Sequence, residues 1–286
     1  MNLTDINQIK ELLGRHGFRF SKSLGQNFLC AAWVPEEIAE AAAPDERTGV
    51  LEVGPGIGCL TVQLARRAQK VVCVELDKAL QPVLAETLAE FDNVELVFGD
   101  VMKTDLRALC AEKFAGCDRV MVCANLPYNI TTPVLTAFVE AGCFDCITVM
   151  IQREVARRIC AKENTADYGV FSLLMQWHAR PELLFDVSPG CFIPAPKVTS
   201  SVIRLRLRGE APCPVQEERQ MFALIRAAFN QRRKTLCNAM MHGLGLPRET
   251  AAAAIAACAL PETVRGEALS MAQFAALSDA LTALKS

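Results

Sequence analysis

Histidine is scarce in this chain, with three in 286 residues, at His16, His178 and His242. None stands at metal-ligand spacing to Cys143-Phe144-Asp145-Cys146, the one CxxC pair, so no metal site is expected. Long apolar runs are missing too. The most apolar stretch, residues 251–260, is alanine-rich and too short to cross a bilayer, and reads as a packed helix with no membrane role. Residues 1–20 are interrupted by Asp5 and Glu11 and have no apolar signal core or small-residue cleavage site, so a cytoplasmic protein is expected. Net charge is small, −2 from 30 Lys+Arg against 32 Asp+Glu, which by itself announces no polyanionic partner. Its distribution says more. Residues 1–200 carry −6 and residues 201–286 carry +4, an acidic body with a basic tail.

What is present suits a globular fold: hydrophobic residues make up 51% of the chain, enough for a large core in one or two domains. The thirteen cysteines are scattered through apolar surroundings, as at Cys59, Cys73, Cys123 and Cys258, and read as small reduced hydrophobes.

Along the first two-thirds, short apolar strands alternate with amphipathic helices. Residues 1–20 suggest a helix with Ile6, Ile9, Leu12 and Leu13 on one face, ending near Gly14 or Gly17. A polar stretch, Ser21 to Leu29, follows as a loop. The strand Val50-Leu51-Glu52-Val53 runs into Gly54-Pro55-Gly56-Ile57-Gly58 and a helix over 60–68. Glycines between strand and helix let the backbone approach a ligand with free N–H groups facing it. A dinucleotide fingerprint requires glycine at position 59, which is Cys, so the turn suits a ligand without a pyrophosphate.

The next two strands, 71–74 and 94–98, are followed by Glu75 and Asp100, which a parallel sheet brings to one rim. Glu75 is placed to accept from ribose hydroxyls. Asp100 suits the amino group of an adenine, although Asp after a strand is also an ordinary helix N-cap. The strand 120–124 delivers Asn125-Leu126-Pro127-Tyr128 to the same rim. There the Asn125 side-chain oxygen and the Leu126 carbonyl, with Pro127 fixing the chain direction, offer two acceptors for one exocyclic amine, and Tyr128 offers a flat face for an unstacked base.

After a strand at 147–151, Arg153 and Arg157 share a helix face, which serves either solvation or RNA contact. A helix over 168–178 and a strand over 183–187 lead to Phe192-Ile193-Pro194-Ala195-Pro196-Lys197, where Phe192 is either a core anchor or an aromatic wall. The strand 202–208 alternates apolar residues with arginines and closes the first domain, expected at 1–208. Residues 209–214 read as a linker. Residues 215–286 read as all helical, over 217–229, 234–241, 248–257 and 271–284. Arg219, Arg226 and Arg233 recur at heptad spacing if the first of these helices continues, with Arg232 and Lys234 beside them, a surface suited to phosphate.

Taken together, Ser23-Leu24-Gly25-Gln26-Asn27-Phe28-Leu29, Glu52 to Gly58, Asn125 to Tyr128, Phe192 to Lys197 and Arg232-Arg233-Lys234-Thr235-Leu236 resemble the ribosomal RNA adenine N6-dimethyltransferases of the bacterial small-subunit (KsgA/RsmA) type. The resemblance runs from near the N-terminus into the C-terminal helices. It implies an α/β fold, a Rossmann-like S-adenosylmethionine-dependent methyltransferase sheet with helices on both faces, plus a small all-helical C-terminal domain that binds rRNA. It implies S-adenosylmethionine as methyl donor and, as substrate, two adjacent adenosines in the 3′-terminal hairpin loop of 16S rRNA in the small subunit or its precursor. By the same resemblance Asn27, Leu29, Gly54, Gly56, Glu75, Asp100 and Asn125 hold the donor, the segment around Asn27 covers it, and Tyr128 and Phe192 enclose the target base. Arg153, Arg157, Lys197, Arg226, Arg232, Arg233 and Lys234 are the RNA-contact candidates, and a monomer is implied. The alternatives are a 23S rRNA methyltransferase of the macrolide-resistance type, which Leu24-Gly25 and Arg232 to Leu236 disfavour, and a nonenzymatic assembly factor, which Asn125 and Tyr128 disfavour. A nicotinamide dehydrogenase is disfavoured by the glycine spacing and by three scattered histidines.

Overall fold

A computed structural model describes residues 1–20 and 25–284, so Ser21 to Leu24 of the N-terminal motif lie outside the described residues. The chain forms two compact units. Met1–Ala156 and Ala179–Leu207 make the first, and Arg157–His178 with the chain from Arg208 makes the second.

The first unit opens with α1 (Ile6–Arg15), β1 (Phe28–Leu29) and α2 (Trp33–Ala42). Asp5 caps α1 by accepting from the Asn7 and Gln8 N–H groups, both at 2.9 Å. Ile9, Leu12 and Leu13 are buried as their spacing predicts, whereas Ile6, 42% exposed, lies on the first turn and stays outside the core. The helix ends at Arg15, followed by Gly17 at φ +63°. Nothing in the sequence announced α2. Its N-cap, Ala32, makes no side-chain hydrogen bond, so the usual start signal is absent, and Val34, Ile38 and Ala39 hold it by burial.

β2 (Thr48–Val53), α3 (Cys59–Ala65), β3 (Lys70–Glu75), α4 (Gln81–Thr87), β4 (Val94–Phe98), α5 (Leu106–Lys113), β5 (Arg119–Asn125), α6 (Thr131–Ala141) and β6 (Cys146–Gln152) follow in alternation. After α7 (Arg153–Ile159) and α8 (Val170–His178), the chain adds β7 (Ala179–Val187), the two-residue β8 (Phe192–Ile193) and β9 (Ser200–Leu207). Among the described residues the main sheet has the order β4-β3-β2-β5-β6-β9-β7. The strands from β4 to β6 are parallel, and β9 runs antiparallel to both β6 and β7.

Leu51, Val72, Val122 and Ile147 stand in register on one face, all fully buried. Val50, Val71 and Met121 on the other face belong to the core that α1, α2 and α3 cover. Two buried faces are why these strands read as continuous apolar runs. At the edge, β7 carries an irregularity between Leu183 and Phe185, a feature that discourages pairing with another chain.

In the second unit, α8 packs with α9 (Glu218–Asn230), α10 (Leu236–Leu244), α11 (Arg248–Ala257) and α12 (Met271–Ala283). A side chain on Gly243 would come within 2.5 Å of the Ala227 Cβ, so glycine is what lets α10 lie against α9. Tyr168, Leu173 and Trp177 bury in this core, and the Tyr168 hydroxyl donates to the Leu269 carbonyl at 2.9 Å. Residues 157–178 therefore group with the C-terminal helices, a different division from one at residue 208. α9 stops at Asn230, so the heptad spacing of Arg219 and Arg226 does not extend along a helix to Arg233.

Candidate active site

Sheet order puts β4, β3, β2 and β5 side by side with their carboxyl ends on one edge. Connections leave β2 in one direction and β5 in the other, so the crevice between these two strand ends is where an open α/β sheet binds its ligand. A pocket opens there, lined by Asn27, Leu29, Gly54, Gly56, Glu75, Asp100, Asn125, Leu126, Pro127 and Tyr128 among others. Every donor-binding candidate from the sequence is thus on one wall or another of the same pocket.

The turn after β2 is shaped by glycine. Gly54, Gly56 and Gly58 have φ of +67°, +61° and +90°, a region that side-chain-bearing residues rarely enter. A Cβ on Gly56 would lie 3.1 Å from the Phe28 ring, so the turn is closed from above by the N-terminal segment. Glu75, 6% exposed, accepts from the Asp77 N–H at 2.8 Å, and the Gly56 N–H is a second backbone dipole near its carboxylate. Burial pushes its carboxyl above the usual range, and these backbone donors pull it back.

Asp100 stands two residues beyond the end of β4. It lines the pocket, and it caps a short turn at Val101–Lys103 by accepting from the Met102 N–H at 3.0 Å.

Asn125 ends β5, and its Nδ2 points to the Asn27 carbonyl at 3.5 Å. A carbonyl only accepts, so this contact orients the amide and turns Oδ1 away from Asn27. The Leu126 N–H is taken by the Met150 carbonyl at 3.1 Å, while no described residue donates to the Leu126 carbonyl. The Leu126 side chain is buried in the core, and the Pro127 carbonyl accepts from Ile130 N–H and Thr131 Oγ1, which seats the turn on α6. The Tyr128 ring is half-buried in the pocket wall, its hydroxyl 2.6 Å from Ser200 Oγ. Burial raises its phenol above the ordinary value.

Phe192 is not brought onto this pocket. It is 4% exposed, pairs with Leu29 in the β1–β8 ribbon and packs in the core, so the core-anchor alternative is the one observed. Arg232 departs from expectation as well. Its guanidinium bonds Glu267 Oε2 at 2.7 Å and the Ala166 and Thr165 carbonyls at 2.7 and 2.8 Å, which ties together the second unit. Arg153 lies 3.7 Å from Asp186. Arg157, Lys197, Arg226, Arg233 and Lys234 are exposed. Among the described residues no group of three His, Cys, Asp or Glu could hold a metal ion.

Glu52 has no sequence-derived role yet sits behind the glycine turn and lines the pocket. It is 1% exposed, and burial drives its carboxyl up to about 7. Cys73 Sγ donates to it at 3.6 Å, and the nearby Thr61 hydroxyl, outside normal hydrogen-bond geometry, offsets only part of that cost. A charged residue inside an apolar strand was the available signal.

With Gly58 closing the turn and Cys59 already in α3, the cradle takes a nucleoside and has no place for a second phosphate-linked one. Glu75, Asp100 and two side-chain-free glycines meet the requirements of S-adenosylmethionine, and sheet and pocket together define a methyltransferase dependent on that donor. The sequence pattern of the ribosomal RNA adenine dimethylase family matches residues 17–282, and the chain belongs to that family. It is accordingly an rRNA adenine dimethyltransferase.

Its relatives include the ribosomal RNA small subunit methyltransferase A of Geobacillus thermodenitrificans, 45% identical over 96% of this chain and 95% of that protein. The protein of the same name from Lachnoclostridium phytofermentans is 45% identical over 97% of each chain. Among solved structures, the 23S rRNA methyltransferase ErmE superposes with a TM-score of 0.69 at 26% identity, covering 90% of this chain and all of that one. A dimethyladenosine transferase from Plasmodium falciparum shares the fold, with a TM-score of 0.74 at 23% identity over 87% of this chain and 95% of that one.

Proposed function

We propose that this enzyme dimethylates N6 of two adjacent adenosines in the 3′-terminal hairpin loop of 16S rRNA, acting on the small ribosomal subunit or its precursor as a cytoplasmic monomer. Near-full-length relatives at 45% identity that bear a small-subunit name support the choice of subunit. The observation that carries the chemistry is the pair of acceptors on the pocket rim, the oriented Asn125 Oδ1 and the Leu126 carbonyl, to which no described residue donates.

Adenine N6 is a weak nucleophile because its lone pair is delocalised into the ring. Hydrogen bonds from its two N–H groups to Asn125 and Leu126 favour a pyramidal nitrogen whose lone pair projects from the ring plane. Tyr128 holds the base by stacking on it. Asn27, Leu29, Gly54, Gly56, Glu75, Asp100 and Asn125 hold the donor, which supplies an electrophilic methyl group on a sulfonium. No strong base is needed before attack, since the proton can leave to water afterwards, and the rate comes from alignment. A second transfer requires one acceptor contact to yield to the first methyl. Arg157, Lys197, Arg226, Arg233 and Lys234 supply exposed charge for phosphate contact, with Arg153 shared with Asp186.

The test offers labelled S-adenosylmethionine with undermethylated small subunits, and large subunits in parallel, followed by nucleoside analysis. Dimethyladenosine in small-subunit RNA alone is expected. Label in large-subunit RNA would transfer the enzyme to 23S chemistry, and tight binding without label would make it an assembly factor.

A further inference from the structure

The segment 25–29 is held at the pocket by a contact that the chemistry above does not use. Gln26 Nε2 donates to Asp77 Oδ2 at 2.7 Å. Asp77 is engaged at three points at once. Its N–H donates to Glu75 Oε1 at 2.8 Å, and its Oδ1 accepts from the Ala79 N–H at 3.0 Å, capping the short turn Lys78–Leu80. That leaves Oδ2 for Gln26. The same segment is also held by the Phe28 ring over Gly56, by the pairing of Phe28 and Leu29 with Ile193 and Phe192, and by Asn125 Nδ2 on the Asn27 carbonyl. Phe28 is a core residue and Asn125 belongs to the reaction, so the Gln26–Asp77 bond is the contact whose purpose neither core nor chemistry explains.

We propose that Gln26 and Asp77 form a latch, a pair of positioning residues that closes the segment 25–29 over the methyl donor while holding the Glu75 carboxylate in place for the donor's ribose. The latch rests on the reading of this pocket as the donor site. It joins what covers the donor to what grips it, since Asp77 takes the cover on its carboxylate and orients the grip with its N–H. The bond is charge-assisted, which makes it strong for a contact between two partly exposed side chains. Removing the Gln26 amide leaves the Ala79 cap and the Glu75 contact intact, so the latch can be opened without dismantling the strand end.

The test exchanges the polarity of the pair in the full-length protein and reads S-adenosylhomocysteine affinity by calorimetry. Gln26→Glu sets two carboxylates against each other and is expected to weaken binding by about tenfold or more. Adding Asp77→Asn to that variant lets the new amide at position 77 donate to the carboxylate at position 26 while its oxygen still caps Ala79. The pair is expected to restore affinity to within about threefold of wild type. Rescue of this kind would not follow from a loss of fold. Wild-type affinity in Gln26→Glu, or no recovery in the paired variant, overturns the latch. Glu75→Ala separates the two readings: unchanged binding in that variant removes the donor site and the latch together, whereas its loss beside an indifferent Gln26→Glu removes the latch alone.

Discussion

The Tyr128 hydroxyl and Ser200 Oγ lie 2.6 Å apart, joining the turn after β5 to the first residue of β9. Ser200 is fully buried, so this bond fixes the tilt of an aromatic ring that otherwise faces an open pocket. Stacking needs the ring and its orientation needs the hydroxyl, which separates two substitutions. Tyr128→Ala should lower single-turnover methyl transfer by roughly 10- to 100-fold, the scale of one base–aromatic stack. Tyr128→Phe keeps the stack and should lose less than about tenfold, the scale of one hydrogen bond. Equal losses in the two would mean that the ring does not carry the base.

Asn125→Ala removes the side-chain acceptor and the contact to the Asn27 carbonyl together. Methyl transfer should fall by about 100-fold or more, in line with the loss of a preorganised polar contact to a reacting group. Binding to small subunits, measured by sedimentation, should be unchanged because no exposed basic residue is altered. A folded variant that loses both would show that Asn125 serves RNA docking as well.

Those residues were legible in the sequence because local chemistry determined them. Glycines at positive φ, an acidic residue at or just beyond the ends of two parallel strands and a polar-proline-aromatic turn leave the same trace wherever the chain folds. Phe192 was ambiguous because its burial depends on pairing with Leu29, far away in sequence, through a ribbon too short to show alternation. Gln26, Ser200 and Arg232 were opaque for a related reason. Each finds its partner, Asp77, Tyr128 or Glu267, only after folding, and an isolated polar side chain does not name its partner. The grouping of 157–178 with the C-terminal helices was hidden likewise, since an apolar helix face does not say which core it enters.

Glu52 gives the fold a pH dependence of definite sign. Its carboxyl is raised from 4.5 to about 7, so the folded chain holds a proton that the unfolded chain has released between those values. The stabilising protonated state is fully present below about pH 4.5 and is lost as pH rises through about 7, at a cost of about 3 kcal/mol for full ionisation. Glu52→Gln keeps a neutral acceptor for Cys73 without that penalty. In denaturant titrations the variant should gain on wild type as pH rises from about 5 to 9, by about 3 kcal/mol at the upper end. A difference that does not change with pH would show that Glu52 remains ionised when folded.

Neighbouring basic residues of the second unit should respond to different assays. Arg232 directs its guanidinium at Glu267 and at the carbonyls of Thr165 and Ala166, so Arg232→Ala leaves Glu267 and the Ala166 carbonyl without that donor, while the Thr165 carbonyl keeps the Tyr168 N–H. It should cost about 1–3 kcal/mol of stability, discounted toward the lower end because the ion pair is partly exposed. Arg233 and Lys234 are exposed and follow the end of α9. Replacing both with Ala should leave thermal unfolding unchanged, weaken small-subunit binding, and flatten the dependence of log affinity on log salt by about two charges' worth. Binding that is indifferent to the double substitution while Arg232→Ala unfolds early would leave this turn with a structural role only, and move the RNA contact to Arg226, Lys197 or Arg157.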